Sequence, residues 1–112
     1  MKKLLLGLFL ISMTLSSFAK TYTKEELNSL VQSGNHPAQG PLETIADEIV
    51  PFNACREATK SIVDSVSSNY PTKVLSDISL MYSAEVWTND GAILMTCTQP
   101  DNRSTVKKAV YK

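Results

Sequence analysis

The chain has 112 residues, with 11 basic and 11 acidic side chains, two cysteines and a single histidine, and 43 % of it is apolar. A formal charge of zero argues against a protein held to nucleic acid or anionic lipid by bulk electrostatics, and the length allows one small domain. Any zinc site, triad or proton relay would have to be built around the one histidine.

In chain order, Lys2 and Lys3 precede an apolar run from Leu4 to Leu15 that is too short to cross a bilayer as a helix. This is the pattern of an export signal. Ser17 and Ala19 place cleavage before Lys20, so residues 1–19 read as a leader and residues 20–112 as a single small α+β domain. The run is followed by no cysteine that could be acylated, which leaves the mature chain without a stable membrane anchor. Losing Lys2 and Lys3 makes the mature chain net negative by two. Arg103, Lys107, Lys108 and Lys112 form a basic tail that could be a nucleic-acid patch, but cations spread along a strand more often mark a solvated edge.

Thr23-Lys-Glu-Glu is a capping box, and Leu27, Leu30 and Val31 share one helical face before Gly34 stops the helix. Ser33 to Pro41 is dense in turn formers and reads as a loop. Pro41 suits a first helical position, and Leu42, Ile45, Ala46 and Ile49 then follow at spacings of three and four. The sequence therefore predicts a second helix from Pro41 to about Ile49, ended by Pro51. Beyond it Phe52, Cys55, Ala58, Ile62 and Val66, flanked by Thr59 and Val63, form the apolar stripe of a main helix, closed by Ser67 to Pro71.

From Lys73 the period becomes two, with Val74, Ile78, Leu80, Tyr82, Ala84 and Val86 on one parity and Ser76 as the exception. This predicts one long half-buried strand. Asn89-Asp-Gly91 turns the chain into an apolar strand over residues 92–98, with Gly91 free to take a positive φ. A turn over 99–103 leads to a last strand, 104–111, whose lysines suit an exposed edge. The expected fold is α+β: two or three N-terminal helices packed on a three-stranded antiparallel meander. Helices followed by a meander resemble, in arrangement alone, small cystatin-like exported domains, a likeness that implies nothing specific about function.

A domain of this size buries roughly 60–65 % of its unfolded surface, so a staple is expected. Cys55 and Cys97 are the only thiols, and in an exported chain they should pair, tying the main helix to the middle strand. The alternatives are two free buried thiols or a single reactive cysteine. In the chain-entropy model the loop so closed, about 43 residues, gives about 4 kcal/mol before strain is subtracted.

Signals for chemistry are sparse. The nearest carboxylates to His36 along the chain are Glu43 and Asp47, and a small envelope hydrolase would need those three in one cleft. Glu57 with Asp64 is an ordinary helix-surface pair. No Gly-rich phosphate loop, calcium loop or metal-ligand spacing is present, so no cofactor and no metal are expected and the reading is of a protein that is not an enzyme.

Trp87 and Met81 share the parity opposite the core, and with Asn89 and Asp90 at the hairpin tip they make the expected binding surface. The competing placement is a Trp87 that covers an edge of the sheet or packs under the 33–41 loop. The reading is a periplasmic or secreted, disulfide-stapled module that binds another protein through the outer sheet face, as an inhibitor or immunity protein would. Homodimers and a structural protein self-associating along the last strand are the further alternatives; no nucleic-acid partner is expected.

Overall fold

The structure, a computed structural model, describes residues 20–112. Residues 1–19, read from the sequence as a leader, lie outside the described residues. Two helices, α1 (Lys24–Gln32) and α2 (Phe52–Val66), pack on a five-stranded antiparallel sheet built from β1 (Glu43–Ile49), β2 (Thr72–Ile78), β3 (Met81–Thr88), β4 (Gly91–Thr98) and β5 (Arg103–Val110). The strand order is β1-β5-β4-β3-β2. The fold is α+β, as expected, but the three-stranded meander under two or three N-terminal helices is wrong in two places.

The first is residues 43–49. Their apolar positions repeat at helical spacing, yet they form edge strand β1, paired with β5 from Glu43 opposite Lys108 to Ile49 opposite Arg103. Between Pro41 and Pro51 only about two turns of helix would fit, and so short a helix gains little unless it docks. The open edge of β5 offers a full ladder of backbone hydrogen bonds instead. The residues of the supposed stripe do not form a core: Ile45 is 58 % exposed and Ile49 77 %. β5, expected at an edge, is therefore an interior strand.

The second is the long strand over residues 73–86, which is two strands joined at Ser79-Leu80, with Ile78 opposite Met81. Neither turn residue is a glycine, asparagine or proline, so the usual signal is missing. A bulge between Val74 and Ser76 shifts the parity of β2, which is why Ser76 broke the pattern. Val74, Ile78 and Leu80, assigned to the core by their spacing, are exposed.

Other local signals produce what they specify. Thr23 and Glu26 form the reciprocal capping box of α1. Gly34, at φ 81°, ends that helix with the N–H of Asn35 on Leu30 and its own on Val31, the pair of bonds that returns a chain through the left-handed region. α2 runs where expected but is turned about its axis, burying Phe52, Cys55, Thr59 and Val63 and leaving Ile62 at the flank. Pro51 gives α2 no side-chain cap. Asn102, at φ 48° in the β4–β5 turn, replaces it: its Oδ1 accepts from the N–H of Phe52 and its backbone oxygen from Val50.

α2 covers one face of the sheet, the inner face, where Tyr82, Ala84, Val86, Met95 and Cys97 join Phe52, Cys55 and Val63 in the larger core cluster. Cys55 and Cys97 are bonded, so the staple joins the main helix to the central strand. A disulfide of this kind fits an oxidising compartment.

Candidate functional site

The outer face is built by the alternate residues of each strand, and its rows can be read from the register. Nearest the β3–β4 hairpin lies Trp87, opposite Ala92, which is opposite Ala109. The next row runs Lys73, Glu85, Leu94, Lys107, Thr44. Then comes Ser76, Ser83, Thr96, Thr105, Asp47, and last Ile78, Met81, Thr98, Arg103, Ile49.

The first row is closed over by other elements. Trp87 is on the outer face, as its parity requires, but it is 1 % exposed and packs with Leu27 of α1, Ala92 and Tyr111, flanked by Tyr22, Val31 and Tyr70. The His36 ring sits 4.9 Å from the Trp87 ring, so the 33–41 loop does lie over it. Trp87 is thus a core residue, and the exposed tryptophan expected from sequence is not there. Its Nε1 is buried with no hydrogen-bond partner among the described residues. Parity alone could not see this cover, because it comes from residues 22–36 and from the last strand's end.

The hairpin tip is similarly committed. Asn89 donates from Nδ2 to the carbonyl of Tyr22 and accepts from the Tyr70 hydroxyl, while its backbone oxygen accepts from the N–H of Tyr22. Asp90 pairs with Lys108 at 3.0 Å, a bond that holds its carboxyl below the usual range. Tyr111 donates to the carbonyl of Thr88 at 2.7 Å, and burial pushes its phenol well up. These groups tie the ends of the chain to the tip. Of the four residues expected to bind, Met81 alone is on open surface away from this tie, 37 % exposed at the far end of β3.

His36 does not meet Glu43 or Asp47. It stacks on a residue of β3, whereas both carboxylates are on β1, three strands away or about 14 Å at ordinary strand spacing. Glu43 points to the inner face opposite Lys108, and Asp47 on the outer face is bonded to Arg103 at 2.8 Å. The carboxylate that His36 does influence is Glu85, one row below Trp87. Burial raises the Glu85 carboxyl, and the charges of His36 and Lys73 act against that rise. On the inner side, Arg56 holds Asp77 through two bonds and lies over the Tyr82 ring. No group of metal-ligating side chains occurs among the described residues.

The lower outer face, three rows deep, has no helix of the described residues packed on it; Ser83 near its centre is buried, and Leu94, Thr96, Thr105 and Lys107 around it are half-buried. Ser83 and Thr96 share a hydroxyl contact at its centre, and Met81, Ile78 and Ile49 line its far end. Leu94 stands half-buried in the row beneath Trp87. Sequence periodicity missed Ile49 by placing it on a helix.

Compared with known proteins, the chain matches no family model, no curated protein and no solved structure. The cystatin-like arrangement expected from element order thus has no structural match behind it.

Proposed function

We propose that the protein is an exported binding module, stapled by Cys55–Cys97, that docks another protein on the lower outer face of its sheet. Residues 1–19 act as the cleaved leader, and the mature chain works in the periplasm or outside the cell. The observation that carries the reading is the uneven cover of the outer face. α1 and the 33–41 loop close the Trp87 row, while no helix of the described residues lies over the rows holding Leu94, Thr96 and Met81, where Ser83 is buried and Leu94 and Thr96 are half-buried. Ile49 and Ile78, 77 % and 59 % exposed, stand at its rim with Met81. A rigid mixed surface of this kind loses little side-chain and loop entropy on docking. An inhibitor or immunity-type role suits such a preformed surface.

Immobilised, oxidised residues 20–112 should retain a specific protein from envelope or culture-fluid fractions, and the pair Ile49→Glu with Met81→Glu should release it. Retention unchanged by that pair would remove the lower outer face as the docking surface. Self-association along the last strand has lost its basis, since β5 is paired on both sides.

A further inference from the structure

We infer that the free edge of β2 is a pairing surface for a second copy of this chain, the two β2 strands running antiparallel about the bulge at Leu75 and joining both sheets into one. This contact is independent of the partner proposed for the outer face.

The sheet ends in β1 on one side and β2 on the other, and each of these edge strands carries one extra residue: Ile45 between Thr44 and Ala46, Leu75 between Val74 and Ser76. In β2 the extra residue makes the two halves of the strand match. Thr72 and Asp77, opposite Val86 and Tyr82, share the inner face, while Lys73 and Ser76, opposite Glu85 and Ser83, share the outer one. The backbone follows the same pattern. Trp87 donates its N–H to the carbonyl of Pro71 at 3.1 Å, so by antiparallel alternation Thr72 and Val74 turn their own N–H and C=O away from β3. Beyond the bulge, Asp77 does the same.

Turned antiparallel about Leu75, two β2 edges set Thr72 opposite Asp77 of the second copy and Lys73 opposite its Ser76, each pair occurring twice by symmetry. No like charges meet. Val74 and Leu75, each 48 % exposed, reach their counterparts at the centre and withdraw apolar surface from water. Asp77 is already held by two hydrogen bonds from Arg56, and its remaining lone pairs can accept from the Thr72 hydroxyl without losing that partner.

Charge separates the two edges. The same operation on β1 sets Glu43 opposite Glu48 of the second copy, twice, because both lie on the inner face. Like charges directly opposite each other destabilise a strand pair, so β1 is protected against self-pairing and β2 is not. β2 contributes seven residues, against roughly 20–30 a side in a standard interface. The dimer is therefore a weak one, with a Kd between about 10 µM and about 1 mM.

Sedimentation equilibrium of oxidised residues 20–112 over that concentration range should show the mean mass rising from one chain towards two. Leu75→Lys sets two cations face to face at the centre and should keep the protein monomeric, whereas Ile45→Lys on the opposite edge should leave dimerisation unchanged. Ser76→Glu, opposite Lys73, should tighten the dimer about twofold to tenfold, and Ser76→Lys should weaken it by a like factor. Unchanged Trp87 emission shows that each variant is folded. A mass that stays at one chain up to about 1 mM, a dimer indifferent to Leu75→Lys, or one lost in Ile45→Lys would overturn the pairing. Equal effects from the two Ser76 variants would overturn its register.

Discussion

The two buried clusters lie on opposite faces of one sheet and are closed in different ways. Beneath α2, the cluster around Cys55 and Cys97 is assembled from consecutive elements and locked by a covalent bond. Around Trp87, the cluster is assembled from both ends of the described chain: Leu27 and Tyr22 from one side, Tyr111 from the other. Backbone bonds from Lys20 to Tyr111 and from Tyr22 to Asn89 complete that closure. The first cluster makes the module rigid. The second covers one end of the outer face and so limits how much of that face is left for the proposed partner.

The largest effect should come from unlocking the first cluster. Replacing both cysteines, Cys55→Ser with Cys97→Ser, is expected to cost about 4 kcal/mol by the chain-entropy estimate, and roughly 2–5 kcal/mol by the general experience of small exported domains. Urea unfolding of residues 20–112 with and without the bond measures it. A loss below about 1 kcal/mol would mean that packing alone holds α2 to the sheet.

Next is the seam where the second cluster meets β5. A Cβ at Gly91 would fall 2.7 Å from the carbonyl oxygen of Ala109, so this glycine is required by the close approach of a neighbouring strand. The positive φ expected there is not used; among the described glycines only Gly34 has one. Gly91→Ala should destabilise by about 1–3 kcal/mol through overpacking, and Gly34→Ala by about 1–2 kcal/mol through its left-handed φ of 81°, although nothing lies within 4 Å of its Cβ. Thermal unfolding of the two variants side by side gives the ranking.

Asn102→Ala removes the cap supplied to α2 from fifty residues away. About 1 kcal/mol should be lost, with Asn102→Gly recovering the part due to backbone strain at φ 48°. The smallest effect is at the boundary between the closed and open parts of the outer face. Burial raises the Glu85 carboxyl, so the folded state holds that proton more tightly than the unfolded chain does. Stability linked to Glu85 is therefore fully present below the unfolded value, near pH 4.5, and lost as pH rises through the folded one. Glu85→Gln should flatten that part of the stability–pH curve above pH 4.5, measured by unfolding from pH 4.5 upward to neutrality. An unchanged curve would place Glu85 in solvent.

The same contrasts separate what neighbouring residues specify from what only distant parts of the chain supply. The capping box at Thr23, the stop at Gly34, the extent of α2 and its bond to the central strand are legible in the sequence because each depends on nearby residues or on the only two thiols present. β1 is not. Leu42, Ile45, Ala46 and Ile49 mimic a helical stripe, and the strand forms only because β5, about sixty residues on, has an edge to pair. The Ser79-Leu80 turn carries no glycine, asparagine or proline, only a serine that is a weaker turn former, and the β2 bulge shows in the sequence only as one serine out of phase. For the site, strand parity is enough to put Trp87 and Met81 on the outer face. The cover over Trp87 escapes it, because that cover is made by chain ends that no local pattern connects.

The account stands or falls on that cover. Acrylamide quenching of the single tryptophan in monomeric, oxidised residues 20–112 should show Trp87 strongly protected, with blue-shifted emission, and protection should disappear on unfolding. Quenching of the native monomer as efficient as that of the unfolded chain would mean that α1 and the 33–41 loop do not close the outer face, and the surface assigned to the partner would have to be redrawn.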